Sequence, residues 1–115
     1  MAAEIQDLSN RARNGKLKLE DMQGGTFTIT SVGNIGGTSA TPVINYPEVA
    51  ILGLMRSKLR PVVVESNGKN EVVIRPMMNV CLSLDHRVVD GAIGAYFTNE
   101  LIKYLQNPAL VFIEG

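Results

Sequence analysis

Hydrophobic and polar positions along this chain alternate between two periods, and each switch marks an element. From Ala2 to Arg13 the apolar residues Ile5, Leu8 and Ala12 recur at helical spacing, and Gly15 follows where a helix C-terminus favours glycine. A surface helix is predicted. Leu19 to Met22 suffices for one helical turn, and the Gly24-Gly25 pair then breaks the chain. Over Thr26 to Val32 the period falls to two, with β-branched or aromatic residues alternating with small polar ones. This predicts a half-buried strand with Thr28 and Thr30 on one face.

Gly33 to Asn45 is rich in Gly, Thr and Ser and contains Pro42, so it reads as an irregular loop of the length that usually carries function. After Pro47 the unbroken apolar run Val49 to Leu54 predicts a central strand buried on both faces. Pro61 to Glu65 and Glu71 to Arg75 read as a hairpin joined through Ser66 to Asn70, where Asn67-Gly68 accommodates positive φ values. In Met78 to Asp85, Val80, Leu82 and Leu84 face one way and Asn79, Cys81, Ser83 and Asp85 the other, giving a last strand that ends at His86. Ile93, Phe97, Leu101, Tyr104 and Leu105 then mark the expected buried face of a helix that starts after Asp90-Gly91 and stops at Asn107-Pro108. The tail Ala109 to Ile113 is apolar. A sheet with a hairpin and flanking helices, without repeat or linker, predicts one unit of mixed α/β (α+β) class.

Composition narrows the partners. A 45% hydrophobic and 19% charged chain of 115 residues is that of a folded single domain. Eleven basic residues balance eleven acidic ones, so no overall field draws it to nucleic acid or an anionic membrane, and neither partner is expected. The one cysteine, Cys81, has no internal partner and no paired CxxC is present; no metal site is expected, and a reducing compartment is. The N-terminus lacks the pattern of a signal peptide, and no apolar run approaches the roughly 18 residues of a membrane span, so an intracellular chain is expected.

Reactive side chains concentrate in Ser83, Asp85, His86, Arg87 and Asp90, where the last strand hands over to the long helix. His86 is the only histidine; its imidazole suits a general base near neutral pH, although a lone histidine is often structural. Asp90 is both a candidate site residue and a candidate helix cap, the latter worth about 1 kcal/mol. A hydrolase triad through Ser83 is disfavoured, because there is no GxSxG elbow and Ser83 lies within a strand. The glycine-rich stretch Gly33 to Gly37 has neither GxGxxG nor a P-loop lysine, and no helix follows it. Arg56, Lys58 and Arg60 alternate, which gives either a solvated strand edge or a small basic face.

Asp85-His86-Arg87-Val88-Val89-Asp90-Gly91-Ala92 resembles the DHRxxDGA signature of dihydrolipoamide acyltransferases, a form of the HxxxDG motif shared with chloramphenicol acetyltransferases. The resemblance continues through Gly15-Lys16-Leu17, Gly24 to Ile29, Pro42 to Asn45, Pro47 to Gly53 and Asn107-Pro108, in the family's order. It implies a chloramphenicol acetyltransferase-like mixed sheet with flanking helices, of which residues 1–115 would form the C-terminal half of a catalytic domain. The N-terminal half and the lipoyl and peripheral-subunit-binding domains would lie outside these residues.

The implied reaction is acyl transfer between a dihydrolipoyl thiol and coenzyme A, with coenzyme A as a substrate and the lipoyl group carried on a separate domain. His86 would be the base, Thr30 the hydroxyl donor to the developing oxyanion with Ser31 as fallback, and Asp90 the residue that shapes the loop. Val49, Ala50, Ile51, Leu52 and Gly53 would border the pantetheine channel. The resemblance also implies a homotrimer building a larger core, with each site shared between neighbours. Its partners would be a lipoyl domain and the oxo acid dehydrogenase and dihydrolipoamide dehydrogenase subunits, in the cytoplasm or in a mitochondrial matrix. An inactive assembly module of the same fold and an unrelated mixed-sheet binding domain are the alternatives.

Overall fold

The computed structural model describes residues 1–114. Helix α1, Ala2–Arg13, ends in a Schellman arrangement in which the Gly15 N–H donates to the Ala12 carbonyl at 3.2 Å and the Lys16 N–H to the Arg11 carbonyl at 2.8 Å. Gly15 has the positive φ, 66°, that this closure requires. A single 3-10 turn, Leu19–Met22, is tied back to α1 because Arg11 pairs with both Asp7 and Asp21.

Strands β1 (Thr28–Ser31), β2 (Ala50–Leu54) and β5 (Val80–Leu84) form one sheet in the order β1-β2-β5. β1 runs parallel to β2, and β5 antiparallel to it. The unbroken apolar strand is therefore the central one, as its pattern requires. Its Ile51 and Leu52, with Met55 just beyond, are the buried large apolar side chains among the described residues. β1 is shorter than the pattern from Thr26 to Val32 suggested: Phe27 leaves the strand line and packs its ring 5.6 Å from that of Phe97, and Val32 donates to the Leu54 carbonyl but turns its own carbonyl to the Ile35 and Gly36 N–H groups.

Strands β3 (Lys58–Ser66) and β4 (Lys69–Met77) pair as a separate hairpin, longer than the apolar runs indicated. Backbone pairing continues past the β-branched core, and only Asn67 and Gly68, at φ 52° and 74°, separate the paired Ser66 and Lys69. The wider connection expected from Ser66 to Asn70 is thus a two-residue turn.

Helix α2, Gly91–Gln106, lies on the face of β5 that carries Val80, Leu82 and Leu84. Its seat is Gly94, where a Cβ would stand 2.4 Å from Leu84 Cδ2. The expected buried face is therefore corrected. Of the residues expected there, Ile93, Phe97 and Leu105 are 56%, 44% and 53% exposed and Leu101 and Tyr104 half-buried, whereas Gly94 is buried and Thr98 half-buried. The smallest residue of the helix, not its largest, permits the close approach to the leucines. The apolar tail forms α3, Leu110–Glu114, and leaves Phe112 92% exposed.

These elements spread rather than close into a sphere. The radius of gyration is 17.3 Å, against about 13 Å for a compact domain of this length. The accessible surface is 9215 Å², against roughly 6,200 Å² for a monomer of this mass. Much of the surplus is apolar, including one face of the hairpin formed by Leu59, Val63, Val72 and Ile74.

Candidate active site

Strand periodicity divides the main sheet into two chemically different faces. Ala50, Leu52 and Leu54 share the α2 side with Leu84, Leu82 and Val80. The opposite side carries two cross-strand rows, Thr28–Ile51–Ser83 and Thr30–Gly53–Cys81. Their polar members therefore share one face. Part of that face is closed by Met55, just past β2, and by Pro42 of the loop after β1: a Cβ on Gly53 would lie 3.1 Å from Met55 Cε and 3.6 Å from Pro42 Cγ. These rows could have been read from alternation only once the register between distant strands was known.

The histidine sits where this sheet ends. The Asp85 N–H donates to the Val49 carbonyl at 2.8 Å, the last bond of the β2–β5 ladder, and the Asp85 carbonyl accepts from Val88 at 3.0 Å and Val89 at 2.9 Å. His86 projects from the turn so closed and is exposed. Its Nε2 lies 3.9 Å from the position a Cβ on Gly91 would take, so the imidazole borders the first residue of α2. No described side chain hydrogen-bonds the imidazole.

Two carboxylates fix the turn on either side of His86. The Asp85 carboxylate accepts from the Arg87 backbone N–H at 3.0 Å, from Arg87 Nε at 2.9 Å and from Nη2 at 2.6 Å. The Arg87 guanidinium, helped by that backbone bond, holds the Asp85 carboxyl down at about 2 from its ordinary 3.8. A lowered folded-state value means that the contribution is present above pH 4 or so and is lost as pH falls toward 2. A carbon NMR titration of the Asp85 carboxyl is expected to show a midpoint near 2, rising toward 3.8 in Arg87→Ala.

Asp90 Oδ1 accepts from the Ile93 N–H at 2.9 Å, so Asp90 is the N-cap of α2. Asp90→Ala is expected to lower unfolding stability by about 1 kcal/mol, whereas Asp90→Asn, an equally good cap, is expected to be close to neutral. Denaturant unfolding of the two variants checks this. The cap also anchors the downstream end of the His86 turn.

Thr30 is half-buried on the polar sheet face, level with Cys81. Leu84, the last paired residue before His86, is about 10 Å further along β5, and β1 lies two strand spacings, also about 10 Å, from β5. One chain therefore does not bring Thr30 and His86 together. Of the segment from Val49 to Gly53, Val49 and Ala50 are half-buried, while Ile51, Leu52 and Gly53 are buried within the chain. Arg56, Lys58 and Arg60 are exposed, and Arg60 stands opposite Arg75 in the hairpin. Among the described residues no cluster could hold a metal ion, and no helix is long and apolar enough to cross a membrane.

The family model for 2-oxoacid dehydrogenases acyltransferase (catalytic domain) matches residues 1–113. The lipoamide acyltransferase component of the branched-chain alpha-keto acid dehydrogenase complex of Pseudomonas putida is 47% identical over 113 residues, covering 98% of this chain and 26% of that protein. The dihydrolipoyllysine-residue acetyltransferase component of the pyruvate dehydrogenase complex of Staphylococcus epidermidis is 46% identical over 112 residues, 97% of this chain and 25% of that protein. The chain thus spans about a quarter of the length of these curated relatives.

Among solved structures, Azotobacter vinelandii dihydrolipoamide acetyltransferase superposes with a TM-score of 0.88 at 45% identity, covering 96% of this chain and 44% of that one. That structure was used to investigate the role of a serine, a histidine and an asparagine in catalysis; the latter two stand four positions apart, the spacing of His86 and Asp90. The cubic core of a pyruvate dehydrogenase multienzyme complex gives the same TM-score, 0.88, at 44% identity.

Proposed function

We propose that this chain, which belongs to the family of 2-oxoacid dehydrogenase acyltransferases, transfers an acyl group between a dihydrolipoyl thiol and the thiol of coenzyme A. The observation that carries the reading is the exposed His86, held between the end of β5 and the capped start of α2 within a DHRxxDGA sequence. Thiols are mostly protonated at neutral pH, and the thiolate is the nucleophile. His86 takes the thiol proton, and the thiolate attacks the thioester carbonyl carbon. The carbonyl electrons move onto oxygen, where a Thr30 hydroxyl donates a hydrogen bond worth about 3 kcal/mol in the transition state. Collapse of the adduct expels the second thiolate, which recovers the proton from the imidazolium. Asp90 keeps the His86 turn in shape without carrying that proton.

The site is completed by two copies of the chain, His86 from one and Thr30 from its neighbour, in a homotrimer that builds a larger core. The separation of the two residues within one chain supports this arrangement, as does the surplus of accessible surface. Coenzyme A is the thiol substrate. Its pantetheine arm runs along the segment from Val49 to Gly53, reached at Val49 and Ala50 where the strand leaves the core. The lipoyl group arrives on a separate domain, and the oxo acid dehydrogenase and dihydrolipoamide dehydrogenase subunits dock around the core. The named relatives are bacterial, which favours a cytoplasmic setting over a mitochondrial matrix.

Relatives from branched-chain and pyruvate complexes are almost equally similar, at 47% and 46% identity, so the test offers both acetyl-CoA and a branched acyl-CoA. With dihydrolipoamide as acceptor, the assembled protein is expected to form acyl-dihydrolipoamide and release coenzyme A. Calorimetric titration with coenzyme A is expected to show saturable binding. Assembly without turnover or saturable binding would overturn the proposal in favour of an inactive module.

A further inference from the structure

Glu48 is a half-buried carboxylate that the proposed reaction leaves without a task. Three segments converge on it. Its Oε1 accepts from Thr28 Oγ1 at 2.7 Å and its Oε2 from Asn45 Nδ2 at 3.1 Å. Its own N–H donates to the Asn45 carbonyl at 2.9 Å. The turn ahead of β1 folds against the same group, since a Cβ on Gly25 would lie 3.2 Å from Glu48 Oε2.

We infer that Glu48 is a positioning residue for both Thr30 and His86, an assignment that rests on the acyl-transfer reading above. Toward Thr30 the link is Thr28, which shares its strand face. β1 has four residues and among the described residues is paired on one side only, by β2. Its register is thinly held. A slip by one residue would present Ile29 or Ser31 where Thr30 belongs, and the Thr28–Glu48 bond opposes that slip.

Toward His86 the link is Val49, the residue after Glu48. Its carbonyl receives the Asp85 N–H, and the Asp85 carbonyl closes the histidine turn. One carboxylate thus sets the level of a hydroxyl and an imidazole that lie too far apart to touch. Glu48 approaches neither reacting thiol and moves no proton of the reaction.

The test compares Glu48→Ala, Glu48→Gln and Thr28→Val in the assembled enzyme. Glu48→Ala is expected to lower kcat about 100-fold, the effect of a misplacement near 1 Å, with KM for coenzyme A little changed. Glu48→Gln is expected to recover most of that loss, because hydroxyl rotation and an amide flip let the neutral side chain meet both partners. Thr28→Val, which keeps the shape and removes the hydroxyl, is expected to cost about tenfold in kcat, one hydrogen bond's worth. Wild-type kcat in Glu48→Ala, or a glutamine variant as impaired as the alanine one, overturns the assignment.

Should Glu48→Ala fail to assemble, Thr28→Val decides, and an unchanged kcat there is equally fatal. Amide exchange needs no turnover: the β1 amides and the Asp85 N–H are expected to exchange faster in Glu48→Ala and Thr28→Val. Unchanged exchange at these amides overturns the positioning role. Faster exchange in a wild-type background that transfers no acyl group supports that role and removes only the acyl-transfer reading.

Discussion

His86→Ala is expected to lower acyl transfer by about a thousandfold, the middle of the range for loss of a positioned general acid–base group. The oligomer itself is expected to survive. His86 is exposed, and the turn that presents it is closed by backbone bonds from Val88 and Val89 to Asp85 and by the Asp85–Arg87 pair, none of which uses the imidazole. Removing the ring therefore leaves the hydrogen bonds of the turn in place. A steady-state assay with dihydrolipoamide, alongside sizing of the purified variant, separates chemistry from assembly. Retained turnover would remove His86 as the base. Residual activity that rises steeply with pH is expected in the variant, because hydroxide then generates the thiolate that the imidazole no longer provides.

The contrast with Asp90 makes this experiment sharper. Asp90 lies four residues after His86, and its carboxylate is already engaged by the Ile93 N–H. Substitutions there act through helix capping, so Asp90→Asn retains the hydrogen bond and Asp90→Ala loses it. A proton carrier would show no such difference, with asparagine as damaging as alanine.

Local pattern carried a great deal of this molecule. The run from Val49 to Leu54 announced a central strand because burial on both faces leaves no room for polar alternation, and Asn67-Gly68 announced the hairpin because few other pairs accept positive φ twice in succession. The motif around His86 was legible for a different reason: its residues are contiguous, so no long-range geometry was needed to assemble them. What escaped depended on distant partners. The seating of α2 on Gly94 is invisible to a hydrophobic stripe, since the stripe weighs large residues and the contact selected the smallest. Glu48 stood inside a recognised segment, yet its work appears only when Thr28 and Asn45, 20 residues upstream and 3 residues upstream, reach the same carboxylate. The pairing of Thr30 with Gly53 and Cys81 likewise needs the register of three strands.

Coexpression of Thr30→Ala with His86→Ala chains is expected to restore activity that neither variant shows alone. Each variant removes one component: His86→Ala the base, and Thr30→Ala the oxyanion donor, the latter costing about 100- to 1,000-fold. Within one chain the two groups are separated by about 10 Å along the strands and about 10 Å across them, far beyond the reach of one thioester. If neighbours share each site, a trimer with chains mixed at random places an intact His86 against an intact Thr30 at about one interface in four, because each choice is independent and the ring closes head to tail. The coexpressed sample is therefore expected to run at about a quarter of the wild-type rate per site. A site built wholly within one chain gives a different answer, since every chain in the mixture then carries one lesion and the rate stays at the average of the two single variants. Coexpression, rather than mixing of finished assemblies, matters because subunits buried in a core exchange slowly. Activity restored to that fraction would assign the unit of function to a pair of neighbouring chains, with His86 and Thr30 of any one chain working in different sites.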